Sequence, residues 1–498
     1  FDSPAKMRAE FKQNHQKRFG FFSPVDDLII EVLGAEAIGI SKQYVEKSKR
    51  KTKIKGKKVK DITLSDYGKV PLFNRETLVS SQVLDGPCVV MEDTGTTVIE
   101  DEWSGSIDSL GNLILERKNE KQSERALGTK ADPIMLEIFN NLFMSIAEQM
   151  GSTLANTAYS VNIKERLDFS CALFDSSGNL VANAPHVPVH LGSMADAVRK
   201  VEQLNKGKIE PGDSFVLNAP FNGGTHLPDV TVITPVFSMN SDEILFFVGS
   251  RGHHADIGGR TPGSAPPDSK TIDEEGVVID NFKIVSKGTF RLQETRDLLA
   301  SGKFPCRNID QNIKDLEAQI AANETGIREV RRMIENFGID TVHAYMKHVQ
   351  DNAEASVRRI IGKLKDGKFV YPMDFNQEIK VRVTVDRQKG SAVIDFTGTS
   401  LQGDNNYNAP RSICNAVVLY VFRTLVGADI PLNEGCLKPL KIIAPEGTMI
   451  NPKYPAAVIA GNTEVSQNMC DCLFGALGVM AGSQATMNNF VWGNNEFQ

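Results

Sequence analysis

Between Asp132 and Leu154 the apolar residues return every third or fourth position, at Phe139, Leu142, Phe143, Ile146, Met150 and Leu154. That spacing gathers them on one stripe of a helix. Asp132-Pro133 supplies a capping side chain and a first-position proline to start it. A second helical stretch is predicted over Asp310–Leu364, broken at "NFGID", and a third, apolar enough to be buried, over Asn415–Val426. Elsewhere the period drops to two, or to short apolar runs between Gly and Asp turns, which marks strands. "DFSCALFDSSGNLVANAP" predicts a hairpin turning at Ser177-Gly178, and "QEIKVRVTVDRQKGSAVIDFTG" one turning at Gln388–Gly390. "GPCVVMEDTGTTVIE" and "GSIDSLGNLILE" add strands near the N-terminus, where "FKQNHQKRFGFF" predicts a short helix and then a strand. The class is α+β with large mixed or antiparallel sheets.

Periodicity disappears over 118–131, "KNEKQSERALGTKA", which reads as a linker between a β-rich first module (1–117) and a larger second one (132–498). The lysine run from Ser48 to Lys60 reads as a solvated loop or hairpin tip. The 498 residues are 41% hydrophobic and 24% charged, with a formal net charge of -6. So mild a balance gives nucleic acid no electrostatic footing as a main partner. No apolar run is long enough to span a membrane. The seven cysteines lack zinc-ribbon or C-x-x-C spacing and read as reduced thiols of a cytoplasmic protein. The chain begins at Phe1 without a secretory leader and ends in an Asn-rich stretch, so it reads as a piece of something longer.

Histidine is scarce, eight in all, yet three fall within "NGGTHLPDVTVITPVFSMNSDEILFFVGSRGHHADIGGR" (Asn222–Arg260). Thr231–Phe237 and Glu243–Gly249 are two apolar strands around a five-residue turn, an antiparallel hairpin. With the turn centred at Asn240, Asp229 falls opposite Arg251, and "THLPD" meets "RGHHAD" at the open end. His226, Asp229 and one of His253 or His254 can then converge. Two imidazoles and a carboxylate make a three-ligand site with open positions, as catalytic metals require. Neighbouring strand residues face opposite ways, so only one of the two adjacent histidines can ligate. The other becomes a supporting group or proton donor. His186 and His190 are also spaced by four, but Pro188 between them argues against a helix there. Substrate contact or support of the site is the role expected of them.

These motifs carry a resemblance. "NIKERLDFSCALFDSSGNLVANAPHVPVHLGSM", "NAPFNGGTHLPDV", "RGHHADIGG", "DFTGTS", "NAP" at Asn408–Pro410, "IPLNEGCLKPLKIIAPEGTMINP" and "GNTEVSQ" are together similar to the B-type module of the hydantoinase/oxoprolinase family, from about Asp132 onward. Residues 1–117 resemble the end of that family's A-type, ATP-using module. "DFTGTS" mimics an actin-like phosphate loop, but a tight turn at Gly398 is the better reading.

The resemblance implies ATP-dependent ring opening of 5-oxo-L-proline to L-glutamate, with N-methylhydantoin hydrolysis, ketone carboxylation or a catalytically silent assembly role as the rivals. It implies a divalent metal (Mn, Zn or Fe) on His226, Asp229 and His253, with His254 as the alternate. ATP and Mg would be bound upstream, in an A-type module or subunit outside this chain, and a homo-oligomer is expected. Glu464 and Glu434, with His254, are the candidates for acid–base work. Arg166, Arg251 and Arg411 are candidates to clamp a substrate carboxylate. Asn408, Asn462 and His190 would contact the lactam.

Overall fold

The computed structural model describes residues 3–21, 56–79, 82–118, 129–238, 241, 243–427, 430 and 432–487. It divides into two compact units, Phe1–Leu28 with Leu127–Gln498, and Ile29–Ala126. The second division falls inside the expected linker, of which 119–128 lies outside the described residues.

The described part of the small unit is built on strands: β1 (Lys60–Leu64), β2 (Gly68–Asn74), β3 (Val83–Asp85), β4 (Cys88–Glu92), β5 (Gly95–Ile99), β6 (Trp103–Ile107) and β7 (Leu113–Arg117), with one 3-10 turn at Arg75–Thr77. They form one sheet in the order β1-β2-β4-β5 and another in the order β3-β6-β7. The strands predicted near the N-terminus are present as β4 to β7, where β4 pairs with β5 and β6 with β7, both antiparallel. Most of the lysine run lies outside the described residues; within it, Lys58 is exposed and pairs with Asp61 at 2.9 Å.

The predicted N-terminal helix exists as α1 (Pro4–Phe19), capped by Ser3, but it belongs to the large unit and not to the first module. The cause is local: Arg328 donates to the Arg18 carbonyl at 2.7 Å, and Phe21 packs on Phe290. The strand expected after it lies outside the described residues.

Helices α2 (Pro133–Thr157), α3 (Val161–Lys164), α4 (Pro188–Leu204), α5 (Leu292–Leu299), α6 (Ile309–Phe337), α7 (Ile339–Ile361), α8 (Arg411–Val426) and α9 (Ser466–Leu477) complete the large unit with two sheets. Asp132 caps α2 through the Met135 N–H, and the break between α6 and α7 falls at Gly338, inside "NFGID". The larger sheet contains β8 (Phe169–Asp175), β9 (Leu180–Asn183), β10 (Ser214–Leu217), β11 (Asp229–Phe237), β12 (Ile244–His253), β13 (Phe282–Ser286) and β14 (Thr289–Phe290), ordered β14-β13-β10-β11-β12-β8-β9. All its pairings are antiparallel.

Both faces of this sheet are covered. Phe169, Cys171 and Leu173 pack with Phe139, Phe143 and Met150 of α2 and with α6 and α7, while Ala172 and Phe174 pack with Met194 and Val198 of α4. Double coverage explains why β11 is buried along its whole length. The second sheet, β15 (Gly367–Pro372), β16 (Glu378–Asp386), β17 (Ser391–Asp395) and β18 (Leu440–Ile443), packs against α7, α8 and α9. "DFTGTS" is the turn leaving β17: Thr397 N–H returns to Asp395 Oδ1, and Gly398 has φ +94.

Helix α4 corrects one expectation. Pro188 opens it at the first position instead of forbidding it, because the missing N–H would be unpaired there anyway. His190 therefore rides on a helix. Gly192, one turn from the start, is where α4 meets α8: a Cβ there would sit 2.5 Å from the Ala416 Cα. Gly192→Ala is expected to destabilise the chain by about 1–3 kcal/mol, read by urea denaturation.

Glu275 is sealed inside. It accepts the N–H groups of Val458 and Ile459, each at 3.0 Å, and the Ser269 hydroxyl at 2.9 Å. Burial nonetheless pushes its carboxyl up from 4.5 to about 7. The folded state thus holds a proton that the unfolded chain releases. This contribution is full below the unfolded value and is lost as pH rises through the folded one. Wild type should therefore lose about 3 kcal/mol relative to Glu275→Gln as pH is raised from 4 to 8, measured by denaturant titration across that range.

Candidate metal centre

The β11/β12 hairpin is present, with its register two residues from the expected one. Asp229 pairs with His253 and Thr231 with Arg251, after an irregularity at Val236/Phe237. The pairing is thus centred at residue 241 and not at Asn240, and displacing the centre of a hairpin by one residue changes every cross-strand partner by two. The correction strengthens the convergence: Asp229 and His253 are direct cross-strand neighbours on the α4 face of the sheet. Their alternates, Val230 and His254, turn to the α6 face.

The loop before β11 brings His226 to the same point. Ligand atoms of His226, Asp229 and His253 all lie within 4.8 Å of one another. Asp229 is fully buried. Its Oδ2 accepts from Thr225 Oγ1 at 2.7 Å and from Asn462 Nδ2 at 3.1 Å. Its Oδ1 lies 3.2 Å from His226 Nε2 and 3.1 Å from His190 Nε2, yet neither nitrogen is angled to donate to it. Burial alone would raise the Asp229 pKa, but His190 and His226 outweigh it and hold the carboxylate well below its ordinary range. For His226 burial pulls down and Asp229 pulls up, with a net rise; His253 is lowered by burial and by His226. Asn162 Nδ2 meets His253 Nδ1 at 3.1 Å. An ionised carboxylate with an undonated oxygen, beside two imidazoles, fits a divalent cation.

Other candidates lie elsewhere. His254 is corrected from an alternate ligand and catalytic group to a fixed interior one. Its Nδ1 accepts from Asn312 Nδ2 at 3.0 Å and its Nε2 donates to Gln319 Oε1 at 3.1 Å, both from α6. Arg251 sits inside the protein, with its Nη2 left without a partner. It is fully buried, donates from Nε to Thr231 Oγ1 at 2.7 Å and from Nη1 to Ser193 Oγ, and burial lowers it to about 10. Asn408 is spent on backbone, accepting from Gly403 N–H at 2.9 Å and donating to the carbonyls of Asn405 at 2.7 Å and Ala457 at 2.9 Å. Glu434 pairs with Arg199 at 3.3 Å instead of facing the metal residues. Glu464 is half-buried and accepts the Met487 N–H at 3.3 Å.

Arg166 is exposed on the turn after α3, whose neighbours Asn162 and Asp168 border the site. Arg411 donates to the Ile442 carbonyl at 3.1 Å. It lines a cavity of about 570 Å³ with Arg199, Lys200 and Tyr454, in which none of the metal residues takes part. His190 supports the site, its Nε2 lying between Asp229 and, at 3.9 Å, Asp168 Oδ1. His186 is structural: its Nδ1 accepts the Cys171 N–H at 3.1 Å, and burial, then His190, lowers it to about 4. Asn162, Thr225 and Asp168 were missed by sequence reasoning, although each lies inside a quoted motif.

Comparison with known proteins bears on this arrangement. A family model described as Hydantoinase B/oxoprolinase matches residues 132–498. The chain is 40% identical over 503 residues to the 5-oxoprolinase of Dictyostelium discoideum, covering 98% of this chain and 39% of that protein. It is 41% identical over 517 residues to 5-oxoprolinase 1 of Arabidopsis thaliana, covering 98% and 41%. It thus spans about two-fifths of the length of these curated relatives. Among solved structures, the ATP-dependent caprolactamase from Pseudomonas jessenii is similar with a TM-score of 0.62 and 25% identity, over 70% of this chain and 61% of that one. With the family model spanning residues 132–498, which carry His226, Asp229 and His253, the chain belongs to the hydantoinase B/oxoprolinase family.

Proposed function

We propose that this chain supplies the metal-dependent hydrolytic module of an enzyme that opens 5-oxo-L-proline to L-glutamate at the expense of ATP. The observation that carries this is the 40–41% identity to two 5-oxoprolinases along 98% of the chain. ATP and Mg are assigned to the part of such proteins that lies beyond this chain's extent, with residues 1–117 as the tail of that A-type module. A lactam amide is stabilised by resonance, so ATP-driven activation precedes attack by water.

His226, Asp229 and His253 would hold the ion, which supplies Lewis-acid polarisation when bound. Asp229 stays ionised in a dry setting because His190 and His226 flank it. The His190 Nε2 that faces Asp229 also lies 3.9 Å from Asp168 Oδ1, so a partly exposed carboxylate borders the buried one. Arg166, exposed and two residues before Asp168 in sequence, is the arginine we assign to the substrate carboxylate. The seven free cysteines fit a reducing compartment, and among the described residues no helix is long and apolar enough to cross a membrane.

The test is 5-oxoproline-dependent ATP hydrolysis and glutamate release, measured on this chain alone and with an A-type module restored. Turnover only in the restored protein supports the reading; none in either removes it. In the restored protein, Asp229→Ala should strip the metal, read by elemental analysis, and slow glutamate release about 100-fold or more with the circular dichroism spectrum retained. Unchanged metal content would move the site elsewhere.

A further inference from the structure

We propose that Asn462 is a fourth protein ligand of the ion held by His226, Asp229 and His253, binding through its side-chain oxygen. The inference rests on the metal-centre reading above and adds a residue and a metal preference to it. Asn462 arrives from 236 positions away in sequence, on a single π-helical turn, Gly461–Val465. Such i→i+5 turns are uncommon and concentrate at functional sites. This one is held from several sides. A Cβ on Gly461 would lie 2.2 Å from the Asn408 carbonyl oxygen, Ser466 Oγ donates to the Asn462 carbonyl at 2.7 Å, and Glu275 grips the Val458 and Ile459 N–H groups just upstream.

The Asn462 side chain is 8% exposed. Its Nδ2 donates to Asp229 Oδ2 at 3.1 Å and lies 3.2 Å from His226 Nε2, while its Oδ1 has no donor at all. An amide oxygen left without a donor at this depth is unfavourable. The arrangement also conflicts with a cation. An ion shared by His226 Nε2 and Asp229 Oδ1 uses the same imidazole lone pair toward which the Asn462 N–H points. A half-turn of the terminal amide exchanges oxygen and nitrogen at almost no cost in shape. It gives up the hydrogen bond from Nδ2 to Asp229 Oδ2, removes the N–H from the ion and turns the orphaned oxygen toward it. Two imidazoles, a carboxylate and an amide oxygen are a mixed, oxygen-rich set, favouring Mn²⁺ over a four-coordinate Zn²⁺ site.

The rival role is purely positional, with the amide N–H fixing Asp229. Mn²⁺ binding to the chelator-stripped chain, followed by electron paramagnetic resonance, separates the two. Asn462→Leu removes both groups, whereas Asn462→Asp keeps an oxygen and removes the N–H. Under the proposal, Asn462→Leu weakens Mn²⁺ binding about 10–100-fold and Asn462→Asp equals or exceeds wild type. A comparable loss in Asn462→Asp, or no loss in Asn462→Leu, overturns it. If Asn462→Leu does not fold, Asn462→Asp alone decides by the direction of its change. A wild-type chain that takes up no divalent metal would bring down the metal-centre reading and this proposal together.

Discussion

A carboxylate without contact with water, Asp229, is the constraint around which the large unit is arranged. An ionised group at that depth is tolerated only when the surroundings supply compensating charge and donors. The groups around Asp229 come from four separate pieces of chain. The loop before β11 gives Thr225 and His226, β12 gives His253, α4 gives His190, and the π-turn gives Asn462. Each piece is itself anchored deep in the packing, α4 by its close approach to α8 at Gly192 and the π-turn by Asn408 and Glu275. The sheet, the helix pair and the loop network therefore share one electrostatic task.

The helices were legible because their apolar stripes and breaks are local. Phe139, Phe143 and Met150 face the sheet as their spacing predicts, and Gly338 interrupts α6/α7. The hairpin and the convergence of His226, Asp229 and His253 were legible too, since turn composition and period-two alternation fix which ends of two strands meet. The register was not. An irregularity at Val236/Phe237 leaves no mark in the residue pattern, so simple counting puts Arg251 opposite Asp229 where His253 belongs. Arg251 shows the same limit: charge on a strand reads as a binding group until its partners, Thr231 and Ser193, are seen to surround it.

Other misses have a common origin. Asn408, Glu434 and Asn462 are alike in sequence, polar residues near glycine in loops. Only the fold tells that Asn408 ties backbone, Glu434 neutralises Arg199 and Asn462 reaches the carboxylate. Helix α1 escapes its first module because adjacency in sequence stands in for adjacency in space when nothing contradicts it, and Arg328 is more than three hundred residues away.

The alternation of faces along β11 has an evolutionary reading. Asp229 looks toward α4 and Val230 toward α6, and the irregularity at Val236/Phe237 already absorbs one residue of mismatch with β12. A one-residue deletion between Val230 and Val236 would reverse that parity and swing the acid into the helices behind the sheet. The connection from 238 to 243 can lengthen without any such reversal. Length variation among relatives of this chain should therefore gather in that connection and spare the strand itself.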